Sequence, residues 1–295
     1  MYFLRTPAER WQMQNNAKVY KFSTGTVQIR PQHVGPTKLP PLVWLITARK
    51  WTAPRPINVY VVKHVQGIVV FDTGQDRVSV TNPDYFPKGL VGWLYSRLAK
   101  FQITESETFL TGLASLGVGL DDPKYAVISH LHQDHIGGLP DLAHSATTVV
   151  ASQDELDASI KFGAVLDGYL RKHIEIEGLS LVTPNFDDIS RLDIPGFHDG
   201  WDVFGDGALV VVSLKGHTDG SLGMIVNWNS QQPCFLVGDL TYDAKLLEVG
   251  VVPGVGNPSE LLEASRRVAN LKTVKPALVV AAAHDPNVVL PEASE

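Results

Sequence analysis

One cysteine in 295 residues excludes an internal disulfide, so nothing in the chain calls for an oxidising compartment. That residue, Cys234, sits in the apolar run PCFLVG and reads as a small core side chain. Basic charge is also scarce. With 25 Lys+Arg against 31 Asp+Glu the formal charge is -6, which leaves no broad positive field for a phosphate backbone, and no nucleic-acid partner is expected. No apolar run reaches membrane-spanning length, and the longest are strand-sized. The N-terminal MYFLRTPAERWQMQNNAK soon turns polar and lacks the apolar stretch and small-residue cleavage site of a secretory leader. A cytoplasmic protein without a membrane partner is the expectation. Gly and Pro punctuate the chain instead of gathering in a low-complexity tract.

What is present is an alternation of short apolar runs and helical patterns. KVYKFSTGTVQI, INVYVVKH and GIVVFDTG read as strands, the last two joined by a turn at Gln66-Gly67. TESETFLTGLASLG reads as a helix opened by a capping box of Thr104 with Glu107, and SQDELDASIKF as one opened by Ser152 with Glu155. The second half repeats the style with ALVVVSLK, LGMIVNW and PCFLVGD. A helix follows, with Leu261, Ala264, Val268 and Leu271 on one stripe, and then the closing PALVVAAAH. Two stacked sheets with helices outside are predicted, an α/β (α+β) fold.

The stretch YAVISHLHQDHIGGLP carries three of the chain's 10 histidines within six residues, directly after an apolar run. His130 and His132 are two apart and share one side of an extended segment, and Asp134 and His135 fall at the turn that follows. Other apolar runs end in the same kind of residue: IVVF in Asp72, LVVVSLKG in His217, CFLVG in Asp239 and ALVVAAA in His284. Ligands of α/β proteins gather at the carboxyl ends of strands, so these groups can converge on one crevice. Five imidazoles and two carboxylates without a thiolate suit two divalent metal ions. Zn²⁺ is expected first, with Co²⁺, Mn²⁺ or Fe²⁺ compatible. Such a pair makes hydroxide available at neutral pH, which points to hydrolysis.

The ordered set His130-x-His132-x-Asp134-His135, His217 in GHTDGS, Asp239 and His284 resembles the metallo-β-lactamase superfamily, over the chain from about residue 71 to 284. The resemblance implies a four-layer αββα sandwich. It also implies a single domain over 1–295, built from two αβ halves at about 17–175 and 176–290. His130, His132 and His217 would hold one metal and Asp134, His135 and His284 the other, with Asp239 bridging and Asp72 orienting ligands. Thr218 and Ser221 would shape their loop. Tyr242, three residues after Asp239, and SHLHQDHIGGLP are similar to the N-acyl homoserine lactonases, the quorum-quenching branch of the superfamily. That branch implies opening of an acyl lactone ring by a metal-bridging hydroxide. Tyr242 would hydrogen-bond the developing oxyanion, Asp134 would shuttle the proton, and a homodimer is compatible with it. Another ester, thioester or phosphotriester hydrolase is the alternative. Asp219 and Ile136 depart from the proline and alanine common in these motifs. The extra chain length is expected at the N-terminus and at about 183–207, where a substrate pocket could differ. The aromatic segment from Tyr85 to Phe101, with Phe86, Leu90, Trp93 and Leu94, is the expected acyl wall.

Overall fold

Leu209 and Val211 of the run LVVVS point to one side of an extended chain and Val210 and Val212 to the other, and all four are buried. A strand buried on both faces needs an apolar layer on each. The computed structural model, which describes residues 17–291, supplies both. The first sheet runs, in spatial order, β4 (Ala99–Gln102), β1 (Lys18–Ile29), β2 (Arg55–His64), β3 (Gly67–Phe71), β5 (Pro123–Val127), β6 (Thr148–Val150) and β7 (Leu181–Val182). The second runs β13 (Val279–Ala282), β12 (Cys234–Gly238), β11 (Leu222–Val226), β10 (Leu209–Ser213), β9 (Asp199–Asp202) and β8 (Asp187–Asp188). Short helices α1 (Pro31–Val34), α2 (Pro41–Thr47), α3 (Val78–Thr81), α4 (Gly89–Leu98), α5 (Phe109–Ser115), α6 (Leu139–Leu142), α7 (Gln153–Ser159) and α8 (Ala244–Glu248) precede the long α9 (Pro258–Val274).

Between the sheets, Tyr60, Val69, Phe71, Val127 and Val150 meet Leu209, Val211, Met224, Leu236 and Ala281. Outside the second sheet, Val210, Val212, Ile225 and Phe235 pack on Leu261, Ala264, Val268 and Leu271 of α9. Outside the first, Val59, Val61, Val70, Ala126 and Val149 pack with Phe109 and Leu113 of α5. This is the αββα sandwich expected from the sequence. Cys234 lies in the inner layer, where burial pushes its thiol up to about 12 and leaves it an inert core side chain.

Two capping boxes expected from the sequence need correcting. The helix over 104–117 shrinks to α5, because Thr108 takes the cap: its side chain accepts from Thr111 N–H. Glu107 still bonds Thr104, its carboxylate accepting from the Thr104 amide at 2.9 Å, but as a turn ahead of the helix. Ser152 does cap α7 through the Glu155 amide, whereas the Glu155 carboxylate goes elsewhere. The Asp- and Gly-rich 183–207 region builds β8 and β9 at the outer edge of the second sheet. The boundary at 176 falls ahead of β7, which pairs with β6 of the first sheet. The N-terminal stretch before residue 17 lies outside the described residues. Among the described residues no helix is long and apolar enough to cross a membrane.

Candidate metal centre

Strand direction decides where the polar residues meet. β3 and β5 are parallel neighbours, so Asp72 and the loop of His130 to His135 leave the first sheet at one end. In the second sheet β12 is parallel to β13 and antiparallel to β11, which is antiparallel to β10. The carboxyl ends of β10, β12 and β13 therefore share an edge, carrying His217, Asp239 and His284. The amide of Leu222 donates to Ser129 O at 2.8 Å, and the Tyr60 hydroxyl to Ala282 O at 2.7 Å, joining the two sheets there.

The convergence is close. His130 Nε2 and His217 Nε2 lie 3.0 and 3.2 Å from His132 Nδ1. On the other side His284 Nε2 is 3.4 Å from Asp134 Oδ2, and His135 Nε2 is 3.9 Å from Asp134 Oδ1. Asp239 faces both clusters, with Oδ1 at 3.5 Å from the Nε2 of His135 and of His284, and Oδ2 at 3.7 Å from His217 Nε2. All seven residues named from the sequence thus come together, in the groups His130–His132–His217 and Asp134–His135–His284 with Asp239 between.

Hydrogen bonds behind the rings fix which nitrogens face inward. His132 Nε2 is 2.8 Å from Asp167 O, and a carbonyl only accepts, so Nε2 carries the proton and Nδ1 a lone pair. Ser129 Oγ donates to Asp72 and so accepts from His130 Nδ1 at 3.0 Å, turning the Nε2 lone pair inward. His284 Nδ1 donates to Pro56 O at 2.9 Å, and His135 Nδ1 to Asp72 Oδ2 at 2.9 Å. Burial, then neighbouring imidazoles, hold His130 well below the usual range, and burial brings His217 down to about 3, so both rings are neutral. Lone pairs aimed at one another are repulsive unless a cation lies among them. The carboxylates speak for the same charge. Burial works against protonation of His135 and His284, yet Asp72 and Asp239 carry the first upward, and Asp239 and Asp134 the second. Burial likewise opposes ionisation of Asp134, but His284 and His135 bring it down to about 2. His135 Nε2 and Asp239 Oδ1 are buried with no hydrogen-bond partner. A divalent cation fits each group.

Asp72 adopts φ +62°, a left-handed turn that aspartate tolerates, and its carboxylate accepts from the Ser129 amide at 2.7 Å and its hydroxyl at 2.9 Å. The next residues zip onto the histidine loop, with Thr73 N–H on His135 O at 2.8 Å. At Gly137 a Cβ would stand 2.1 Å from Asp76 N, so the two loops approach this closely only with glycine there.

Tyr242 is buried, its ring stacked on His284 at 5.7 Å between centroids. Burial and the Asp239 and Asp134 carboxylates push its pKa well above the usual value, so the hydroxyl keeps its proton as a donor. Arg55 holds this pair from behind, its guanidinium donating to Tyr242 O at 2.6 Å and His284 O at 3.2 Å. His33, which the sequence left unassigned, packs edge-on to Tyr242 and Trp44 at 6.5 and 5.0 Å. Burial lowers its pKa to about 4. Between the unfolded value near 6.5 and this folded value the unfolded chain binds more protons, so stability is lost as pH falls through that window. The loss is about 3 kcal/mol, and His33→Gln should remove it in urea titrations at pH 7 and pH 4.

The hydroxyls of Thr218 and Ser221 bond each other at 2.6 Å within their loop. Asp219 pairs with Lys161 at 3.0 Å on the surface, while Ile136 is buried in the core outside the first sheet. The cavity nearest the site takes little from the aromatic 85–101 segment. A cavity of about 480 Å³ is lined by Ile160, Phe162, Val165, Tyr169 and Leu170, and the 85–101 segment adds only Pro87. Tyr169 brings this cavity to the site, 5.6 Å from the His132 ring. Phe86 packs on Tyr85, Tyr95 and Phe101, while Leu90 and Trp93 are exposed. Sequence reasoning also missed Ser129, Arg55 and the Asp167 carbonyl, whose roles depend on backbone positions that no residue spacing marks.

Residues 52–284 match the family described as the metallo-beta-lactamase superfamily. An N-acyl homoserine lactonase, AttM of Azorhizobium caulinodans, is 27% identical over 236 residues, covering 79% of this chain and 82% of that protein. Among solved structures, an N-acyl homoserine lactone hydrolase with N-hexanoyl-L-homoserine at its catalytic metal centre superposes with a TM-score of 0.69 at 19% identity, over 93% of this chain and 95% of that one. The dizinc quorum-quenching lactonase AidC gives a TM-score of 0.59 at 14% identity, over 95% and 92%.

Proposed function

This chain belongs to the metallo-β-lactamase superfamily, and from that premise we propose that it is a metal-dependent hydrolase that opens the lactone ring of N-acyl homoserine lactones. The observation that carries the reading is the pair of inward-facing ligand groups with Asp239 between them. The 27% identity to a lactonase over most of both chains supports the substrate class.

In this reading His130, His132 and His217 would hold one divalent ion and Asp134, His135 and His284 a second, with Asp239 facing both groups. Zinc is the first candidate, as the imidazole and carboxylate donors suit it. Bound there, such ions would supply an activated water and a Lewis acid for a carbonyl oxygen. Tyr242 presents its proton toward the same space and donates a hydrogen bond to oxygen as charge develops on it. Asp134, held ionised, takes a proton and passes it to the leaving alkoxide. The cavity beside His132 takes the acyl chain between Phe162, Val165 and Leu170.

Proton release from short- and long-chain acyl homoserine lactones tests the proposal, with a chelator-treated sample and His132→Ala as controls. Metal-dependent acid production supports it. Silence on lactones with turnover of esters, thioesters or phosphotriesters would leave a hydrolase with a different substrate. Tyr242→Phe should lower kcat by about 100- to 1,000-fold with metal content unchanged. Loss of metal in that variant would sink the oxyanion role.

A further inference from the structure

The Glu155 carboxylate is the residue that least resembles its sequence pattern. A glutamate three residues after a capping serine ordinarily turns back to the amide of that serine. Here Oε1 accepts from Leu131 N–H at 2.8 Å and Oε2 from Gly220 N–H at 3.2 Å, and the side chain is 1% exposed. Leu131 stands between His130 and His132, in the loop that leaves β5 of the first sheet. Gly220 follows His217 by three residues, in the loop between β10 and β11 of the second. One carboxylate thus grips the backbones that carry all three histidines of one group, one loop from each sheet.

The start of α7 adds a second hold on the same glycine. Ser152 Oγ donates to Gly220 O at 2.7 Å while it accepts from the Glu155 amide at 3.2 Å. A Cβ on Gly220 would stand 2.3 Å from Ser152 Oγ and 2.4 Å from Glu155 N, so the loop reaches the helix only as glycine. Ionised acceptors on backbone N–H groups make the stronger class of hydrogen bond. Such a hold is needed here, since His130 Nε2 and His217 Nε2 both crowd the His132 Nδ1 lone pair at 3.0 and 3.2 Å.

We propose that Glu155 is a positioning residue that sets the spacing of the His130–His132–His217 group, clamping the Leu131 and Gly220 amides so that the three nitrogens stay together for a cation. The assignment rests on the metal-site reading above. It predicts a selective effect. Loosening the clamp weakens the three-histidine group, while Asp134, His135 and His284, held by Asp72, Pro56 and Arg55, keep their arrangement.

Glu155→Gln tests this with little change of volume, because the amide keeps one acceptor and sets a donor against the other N–H. Chelator competition on the cobalt-loaded protein, read by its visible absorption bands, gives the affinity of each group. His217→Ala and His284→Ala identify which is which. The expected result is a fall of about 10- to 100-fold at the three-histidine group and less than about 3-fold at the other. Gly220→Ala, which pushes the same loop off the helix from the opposite partner, should give the same selective loss, and the exposed Gln153→Ala should give none. Thermal unfolding of the metal-free variants runs alongside. A Glu155→Gln protein with a lower melting temperature but wild-type affinities at both groups overturns the assignment, as does an equal loss at the two. A wild-type protein that takes up no cobalt or zinc overturns the metal-site reading, and this assignment with it.

Discussion

Asp239→Ala is expected to reduce kcat/KM for the lactone by about 10³-fold or more, the largest effect of any single substitution in the chain. Its Oδ1 faces His135 and His284 and its Oδ2 faces His217, so both ligand groups lose a partner at once. A metal that polarises a carbonyl contributes several kcal/mol to the barrier, and each 1.36 kcal/mol is about tenfold in rate. Metal content of the purified variant and steady-state kinetics on the same preparation check the prediction. A variant with the full metal complement and ordinary turnover would show that Asp239 lies beside the chemistry and not within it.

Asp72→Ala should be nearly as damaging, by a different route. Its carboxylate touches no inward-facing nitrogen. It accepts from the Ser129 amide, the Ser129 hydroxyl and His135 Nδ1 at 2.7, 2.9 and 2.9 Å, all in a place that water does not reach. Hydrogen bonds to a charged group contribute about 1.5–3 kcal/mol each, and stranding the buried donors costs more. The metal-free variant should lose about 3–5 kcal/mol in urea titration, and metal affinity should fall about 100-fold as His135 swings free. Unchanged stability together with unchanged affinity would mean that Ser129 and His135 find other acceptors. Asp72→Asn should fall between, since it keeps an acceptor but presents an amide donor to one of the three groups.

The site was legible in the sequence because of an asymmetry in how residues are placed along strands. Asp72, Asp239 and His284 each follow the last residues of an apolar run, and that pattern needs no knowledge of which strands are neighbours. Pairing is what the pattern omits. The antiparallel turn of β11 brings the end of β10 alongside the end of β12, and nothing in LVVVS or CFLVG states this. The four layers were legible for a similar reason, since Val210 and Val212 alternate with Leu209 and Val211 and both sets are apolar. Residues that act through long-range backbone contacts stayed hidden. Glu155 satisfied a local rule in the sequence, and its partners lie 24 and 65 residues away. The cavity wall built by residues 159–165 and 169–172 was missed because Ile160 and Phe162 are exposed and follow no helical or strand period. The aromatic 85–101 segment drew attention instead, and much of its aromatic surface packs on itself.

The order of the strands along the chain has a consequence for how the protein is made. Every strand of the first sheet precedes residue 183, and every strand of the second follows residue 186. A ribosome therefore completes one sheet before the other begins, and Tyr60, Val69, Phe71, Val127 and Val150 face water until their partners arrive. Contacts this distant in sequence form slowly. His284, just past the end of β13, joins Asp134 and His135 only after the strands of both sheets have been made. Until the second sheet is made, the nascent protein has an open apolar face and an incomplete site, and a chaperone that covers the first sheet would act in that interval.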